Sequence, residues 1–107
     1  MDELRLTEIA TIETLLEGAE MPEDARQTAL WCVKQLPGLY RDLARTYDSR
    51  HGDEILRLSR AASLKVTDPR LAEAVREQLV GLHERLGFGR LDLKPPRPPA
   101  RRSRKAG

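Results

Sequence analysis

The chain has 107 residues, of which 39% are hydrophobic and 34% charged, and its formal net charge is +2 at pH 7. This length allows one modest core without metal or disulfide support, and no run approaches the ~18 apolar residues that a membrane span requires. The N-terminus has neither the basic start nor the apolar core of a secretory signal. We therefore expect a cytosolic protein with no membrane partner.

The small net charge hides a segregated chain. Residues 1–24 hold eight acids and one base, a charge of −7, and residues 25–93 hold nine acids and twelve bases, a charge of +3. Residues 94–107 hold six bases and no acid, a charge of +6. Such asymmetry bears on partners and on contacts within the chain rather than on the fold.

The first predicted helix runs from about Glu3 to Glu17 and ends before Gly18. Its apolar residues recur at three- and four-residue spacing, which places them on one helix face. They are Leu6, Ile9, Ile12, Leu15 and Leu16. Pro22, followed by two acids, is typical of the start of the next helix, because proline and negative charge both suit a first helical turn.

The apolar pattern of the second helical stretch continues across Pro37 and Gly38. A proline inside a helix removes one amide donor and clashes with the preceding turn, so we expect a break between Gln35 and Leu39. The favoured interpretation is two helices, at 22–35 and 38–48, and the alternative is one kinked helix. Cys32, the only cysteine, is interpreted as a small buried hydrophobic residue.

Residues 48–53 have the composition of a turn, and the next helix buries Ile55, Leu58 and Ala62. Asp68 is the predicted N-cap of the last helix, with Pro69 in its first position. Gly87 and Gly89 are the predicted stop of that helix. The sequence therefore predicts an all-α compact bundle of four or five short amphipathic helices over residues 1–93. Residues 94–107 are predicted to be a disordered tail rich in proline and basic residues.

The last helix carries the most regular apolar stripe of the chain. Its members are Leu71, Val75, Leu79, Leu82 and Leu86. A long, narrow stripe flanked by charges is typical of a seam between helices of two chains. We therefore expect a helical protein–protein interaction module, an adaptor or regulatory subunit, that is homodimeric and binds its partner through this stripe.

Groups for catalysis or metal binding are sparse. His51 is interpreted as a solvated residue of the 48–53 turn, and His83 as a residue on the polar face of the last helix. Each has acids beside it in sequence, but adjacent helical residues point in different directions and do not form a ligand set. The sequence therefore predicts no catalytic residue, no metal ligand and no cofactor, and we do not expect an enzyme.

The alternative function is that of a nucleic-acid-binding regulator. Residues 55–80 could form a hairpin similar to a helix-turn-helix, and the tail adds cations that attract phosphates. The candidate contacts are Arg70, Arg76, Lys94, Arg97, Arg101, Arg102, Arg104 and Lys105. Three other interpretations of the tail stay open: a proline-rich ligand for an SH3-type groove, a latch on the acidic first helix, and a merely solvated end.

Overall fold

The computed structural model describes residues 6–93, and the predicted tail and residues 1–5 lie outside the described part. Residues 6–93 form four α-helices and no strand, which confirms the predicted all-α bundle. The helices are α1 (Thr7–Glu17), α2 (Glu23–Thr46), α3 (Ser49–Leu64) and α4 (Pro69–Arg85). The alternative of five helices is wrong, because the predicted break in the second helix does not occur.

Helix α1 lies between α4 and the start of α2. An ion pair of 3.1 Å between Glu8 and Arg85 joins the start of α1 to the end of α4, so the two helices run antiparallel. The Arg26 guanidinium of α2 donates hydrogen bonds to the Leu16 carbonyl in the last turn of α1 and to the Ala19 carbonyl just after that helix. The helix begins four residues later than predicted, and it ends at Glu17 as predicted.

Helix α2 is continuous through Pro37, so the predicted pair of helices at 22–35 and 38–48 is wrong. The missing amide and the crowded carbonyl of Val33 cost about 3 kcal/mol in a helix interior. Leu36 and Tyr40 lie on either side of the proline and are both 0% exposed. Burying side chains of this size contributes about 1.5–3 kcal/mol each, and a broken helix would displace them. Burial on one face therefore outweighs the local cost of the proline.

The connection between α2 and α3 is only two residues long, so the predicted turn over 48–53 is too long. Tyr47 ends α2 in the left-handed conformation, with φ at 54°. The Asp48 side chain then caps α3 by accepting a hydrogen bond from the Arg50 amide. Hydrogen bonds from the Arg50 side chain and amide lower the pKa of Asp48 to about 2. This cap lets the helix begin at Ser49, inside the predicted turn.

Both ends of α4 agree with the prediction. The Asp68 side chain accepts a hydrogen bond from the Arg70 amide, and Pro69 occupies the first helical position. At the other end, the Gly87 amide donates to the Glu84 carbonyl and the Phe88 amide to the His83 carbonyl. This pairing is a Schellman motif, and it requires the positive φ of 81° that Gly87 adopts.

One core joins all four helices and the segment that follows α4. It is mostly aliphatic, and α2 and α3 form its most extensive helix–helix contact. Two helices joined by so short a loop lie antiparallel, so α3 returns along α2. Cys32 is buried in this core, as predicted, and burial raises the pKa of its thiol.

Candidate functional site

The apolar stripe of α4, which the sequence predicts to be a partner seam, lies mainly inside this chain. Val75, Leu79 and Leu82 are each 0% exposed, and Leu71 and Leu86 are half-buried. The chain's own core therefore covers the centre of the stripe, and a partner could reach only its two ends. A second chain could contact the three central residues only if the bundle opened.

His83 is buried next to Tyr40 and Phe88, so its predicted place on the polar face of the helix is wrong. The Tyr40 hydroxyl and His83 Nδ1 are hydrogen-bonded at 3.1 Å, and the Tyr40 and Phe88 rings stack with centroids 5.7 Å apart. His83 follows Leu82 directly and lies four residues after Leu79. His83 therefore flanks the apolar stripe, and neighbouring parts of the bundle bury its side chain together with the stripe.

Burial holds both polar groups of this cluster in their neutral forms. Desolvation lowers the pKa of His83, although the hydrogen bond with the Phe88 backbone acts in the opposite direction. Desolvation also raises the pKa of Tyr40 far above its usual value. Because solvent barely reaches either side chain, we interpret the pair as a structural element that satisfies two buried polar groups.

Histidine, cysteine and carboxylate groups are scattered in the described part of the chain. Residues 6–93 contain no group of three or more such side chains that could hold a metal ion. His51 lies in the first turn of α3 and is half-buried, so its predicted solvated position in a turn is wrong. Its Nε2 is 3.9 Å from an Asp42 carboxylate oxygen, which makes a two-group contact between α3 and α2.

Residues 89–93, here called the C-terminal strap, fold back over the bundle after α4. Gly89 has a φ of 97°, which turns the chain, and Leu91 and Leu93 are buried in the core. The Arg60 side chain of α3 donates a hydrogen bond of 3.4 Å to the Asp92 carbonyl. These anchors were not predicted from the sequence, although the alternation of Leu91, Asp92 and Leu93 indicates one buried and one exposed side.

An open groove of about 700 Å³ separates α4 from the C-terminal strap. Its lining combines apolar residues with four acids and two bases. The lining residues are Glu73, Arg76, Glu77, Val80, Gly81, Glu84, Arg90, Leu91, Asp92 and Leu93. We call it the acidic groove, because its formal charge is −2.

The outward side of the α2–α3 pair carries two large apolar side chains. Trp31 is 57% exposed and Leu64 is 64% exposed. Each lies two residues, or about 200°, from a fully buried residue of its own helix, so both point away from the core. Since the loop is centred between residues 47 and 48, Trp31 and Leu64 lie level with each other along the antiparallel pair.

This surface is formed by one row of side chains from each helix. In each row the three residues are spaced i, i+4 and i+7. We call the two rows together the outer face. They are Trp31, Gln35 and Gly38 on α2, and Arg57, Ala61 and Leu64 on α3. This face was not predicted from the sequence, because its apolar residues interrupt the polar side of each helix without recurring at a helical period.

The residues predicted to contact nucleic acid divide into two groups. Arg70 is exposed at the start of α4, whereas Arg76 is ion-paired with Glu73 and belongs to the acidic groove. The six predicted contacts from Lys94 to Lys105 lie outside the described residues. The α3–α4 hairpin therefore presents a face of mixed charge rather than a basic one.

Comparison with known protein families, with curated proteins and with solved structures finds no match for this chain. Among residues 6–93, no helix is both long and apolar enough to cross a membrane.

Proposed function

We propose that the chain is a cytosolic helical protein–protein interaction module, an adaptor or regulatory subunit, that pairs with a second copy of itself through the outer face. The observation that carries the proposal is the exposure of Trp31 and Leu64 at the same level of one antiparallel helix pair. Tryptophan is enriched among the residues that dominate binding energy in interfaces, and exposed it contributes little to the folding of its own chain.

The outer face has a shape that can complement itself. Gly38 lies seven residues after Trp31 on α2, and nothing lies within 4 Å of the position where a Cβ would stand. A two-fold axis near Gln35 would bring Trp31 of each copy opposite Gly38 of the partner subunit. A large ring would then meet an open recess twice in the same dimer.

Charge does not oppose this pairing. Arg57, the one cation of the outer face, is held by an ion pair with Glu54 of its own helix. Under the same two-fold axis, the antiparallel rows would place Arg57 near Leu64 of the partner subunit rather than near a second arginine. The face therefore avoids the like-charge contacts that would weaken an isologous dimer.

The expected affinity follows from the size of the face. The helix pair overlaps over the 16 residues of α3, about 24 Å, and two helices side by side are about 20 Å wide. The projected area is about 500 Å² per copy, which is small for a permanent dimer. We therefore expect a reversible dimer with a dissociation constant on the order of micromolar.

Sedimentation equilibrium of the full chain from roughly 1 to 200 μM, a range that brackets that constant, tests the proposal. We expect a monomer–dimer equilibrium that Trp31→Ala and Leu64→Ala shift to monomer. Tyr47→Asn is the matched control, because Tyr47 is 76% exposed but lies at the far end of α2. A monomer throughout, or a dimer that both alanine variants leave intact, would overturn the proposal.

A further inference from the structure

The acidic groove has an apolar floor, and two of the acids that line it, Glu77 and Glu84, are exposed. Val80 and Gly81 of α4 face Leu91 and Leu93 of the C-terminal strap across it. Nothing lies within 4 Å of a Cβ position at Gly81, so the floor is open at this point. Such a surface suits an extended segment that combines apolar rings with cations.

The carboxylates along the groove are not all neutralised by the chain. Arg76 is ion-paired with Glu73, but within residues 6–93 no basic side chain lies within ion-pair distance of Glu77 or Glu84. These two residues are exposed and seven positions apart, so they lie on the same side of α4, about 10 Å from each other. They form two separated sites for cations above the apolar floor.

We propose that the acidic groove binds residues 94–107 of the same chain. The buried Leu93 lines the groove, so the segment that begins at residue 94 is tethered directly at the proposed binding site. The segment carries six bases and no acid, against four acids and two bases in the groove. It begins Lys94-Pro-Pro-Arg97-Pro-Pro, which supplies apolar rings between its first two cations.

The spacing of the first two cations in the segment matches the spacing of two carboxylates in the groove. Proline-rich sequence favours the polyproline II conformation, with about 3.1 Å per residue and three residues per turn. Lys94 and Arg97 would then lie on one side of the segment, about 9 Å apart, close to the separation of Glu77 and Glu84. The prolines also reduce the conformational entropy that is lost on binding.

The consequence is a groove that its own chain occupies and that a competing basic segment could enter only by displacing residues 94–107. The ion pairs are exposed to solvent, so the contact is weak and screened by salt. This proposal does not depend on the outer face, which lies on α2 and α3 rather than on α4.

Paramagnetic relaxation in the full chain tests the contact directly. A spin label is placed on Ser103→Cys in a Cys32→Ala background, in which the native thiol, buried and 3% exposed, is replaced by another small residue. At low salt we expect the label to broaden the amide signals of residues 73–84 and 90–93. We expect the broadening to disappear at high salt, and a groove that stays unaffected at low salt would overturn the proposal.

Two pairs of substitutions with the same change of net charge locate the contact. Glu77→Gln with Glu84→Gln should reduce the broadening severalfold, whereas Glu17→Gln with Glu20→Gln, on exposed acids near the end of α1, should leave it unchanged. If the broadening is lost only in the variant with Glu17→Gln and Glu20→Gln, the segment lies on the acidic first helix, which would contradict the proposal. Gly81→Leu, which fills the floor without touching a charge, should also reduce the broadening.

A mixed sample separates binding within one chain from binding between chains. Isotope-labelled chains without a spin label are combined with unlabelled chains that carry it. We expect no broadening in this sample, because each chain's own segment occupies its groove. Broadening as strong as in the chain that carries both the isotope and the spin label would show that a second copy supplies the segment. That result would overturn the proposal.

Discussion

The stripe of α4 and the outer face of α2–α3 both carry large apolar side chains, but these side chains have opposite environments. Leu79, at the centre of the stripe, is 0% exposed, and Leu64, on the outer face, is 64% exposed. The regular stripe is the one that the chain covers itself, and the irregular face is the one left open. Periodicity thus identifies residues that share a face, but it does not identify what covers that face.

The largest expected effect comes from placing a charge on each surface in turn. Leu79→Asp should lower the free energy of unfolding by at least about 3 kcal/mol, because it buries an unpaired carboxylate. Leu64→Asp should change it by less than about 0.5 kcal/mol, since water reaches that position. Urea unfolding followed by circular dichroism measures both. Similar losses in the two variants would show that the outer face is not an open surface.

The next effect concerns the buried His83. Burial lowers its pKa in the folded chain, so the fold favours neutral imidazole and stability is full above the pKa of the unfolded state, about 6.5. As the pH falls below that value towards the folded pKa, stability should be lost at up to about 1.4 kcal/mol per pH unit. Urea unfolding measured between about pH 7.5 and 5, which extends about one unit or more on each side of the unfolded-state pKa, should show this slope.

The contribution of His83 can be separated from that of other groups by substitution. His83→Gln keeps a hydrogen-bonding side chain beside Tyr40 but does not titrate, so the pH dependence should flatten in this variant. His51→Gln is the control, because that residue is half-buried in the first turn of α3 and away from the aromatic cluster. A slope that survives in His83→Gln would assign the pH dependence to other groups.

The smallest expected effect distinguishes two helical glycines. Gly38→Ala and Gly81→Ala each add a Cβ in open space, so each should stabilise the bundle by about 0.5–1 kcal/mol. Only Gly38→Ala should weaken self-association, because it begins to fill the recess opposite Trp31. Thermal unfolding at low concentration and sedimentation at high concentration separate the two effects. If the two variants have equal dissociation constants for the dimer, Gly38 does not lie in the interface.

Local sequence signals predict most of the fold. The cap at Asp68, the proline at position 69 and the glycine stop at 87 act within a few residues, so their chemistry can be read from the sequence. The continuity of α2 could not be predicted in the same way. It depends on the burial of Leu36 and Tyr40 by distant helices, which outweighs the cost of Pro37.

The candidate surfaces are less predictable than the helices. His83 was misplaced because the two residues that follow it in the sequence, Glu84 and Arg85, are polar, whereas its neighbours in space are aromatic rings. The acidic groove exists only because the C-terminal strap folds back beside α4, and the outer face exists only because α3 returns along α2. Each of these surfaces joins residues from two segments, so no single sequence window contains it.

Amide chemical shifts recorded while the isotope-labelled full chain is diluted test the central claim most directly, namely that the outer face rather than the α4 stripe is the interface. We expect concentration-dependent shifts in residues 27–42 and 54–64, and in the indole signal of Trp31. We expect constant shifts for residues 75–83. Concentration-dependent shifts centred on residues 71–86, with the outer face unchanged, would contradict the claim and restore the stripe as the seam.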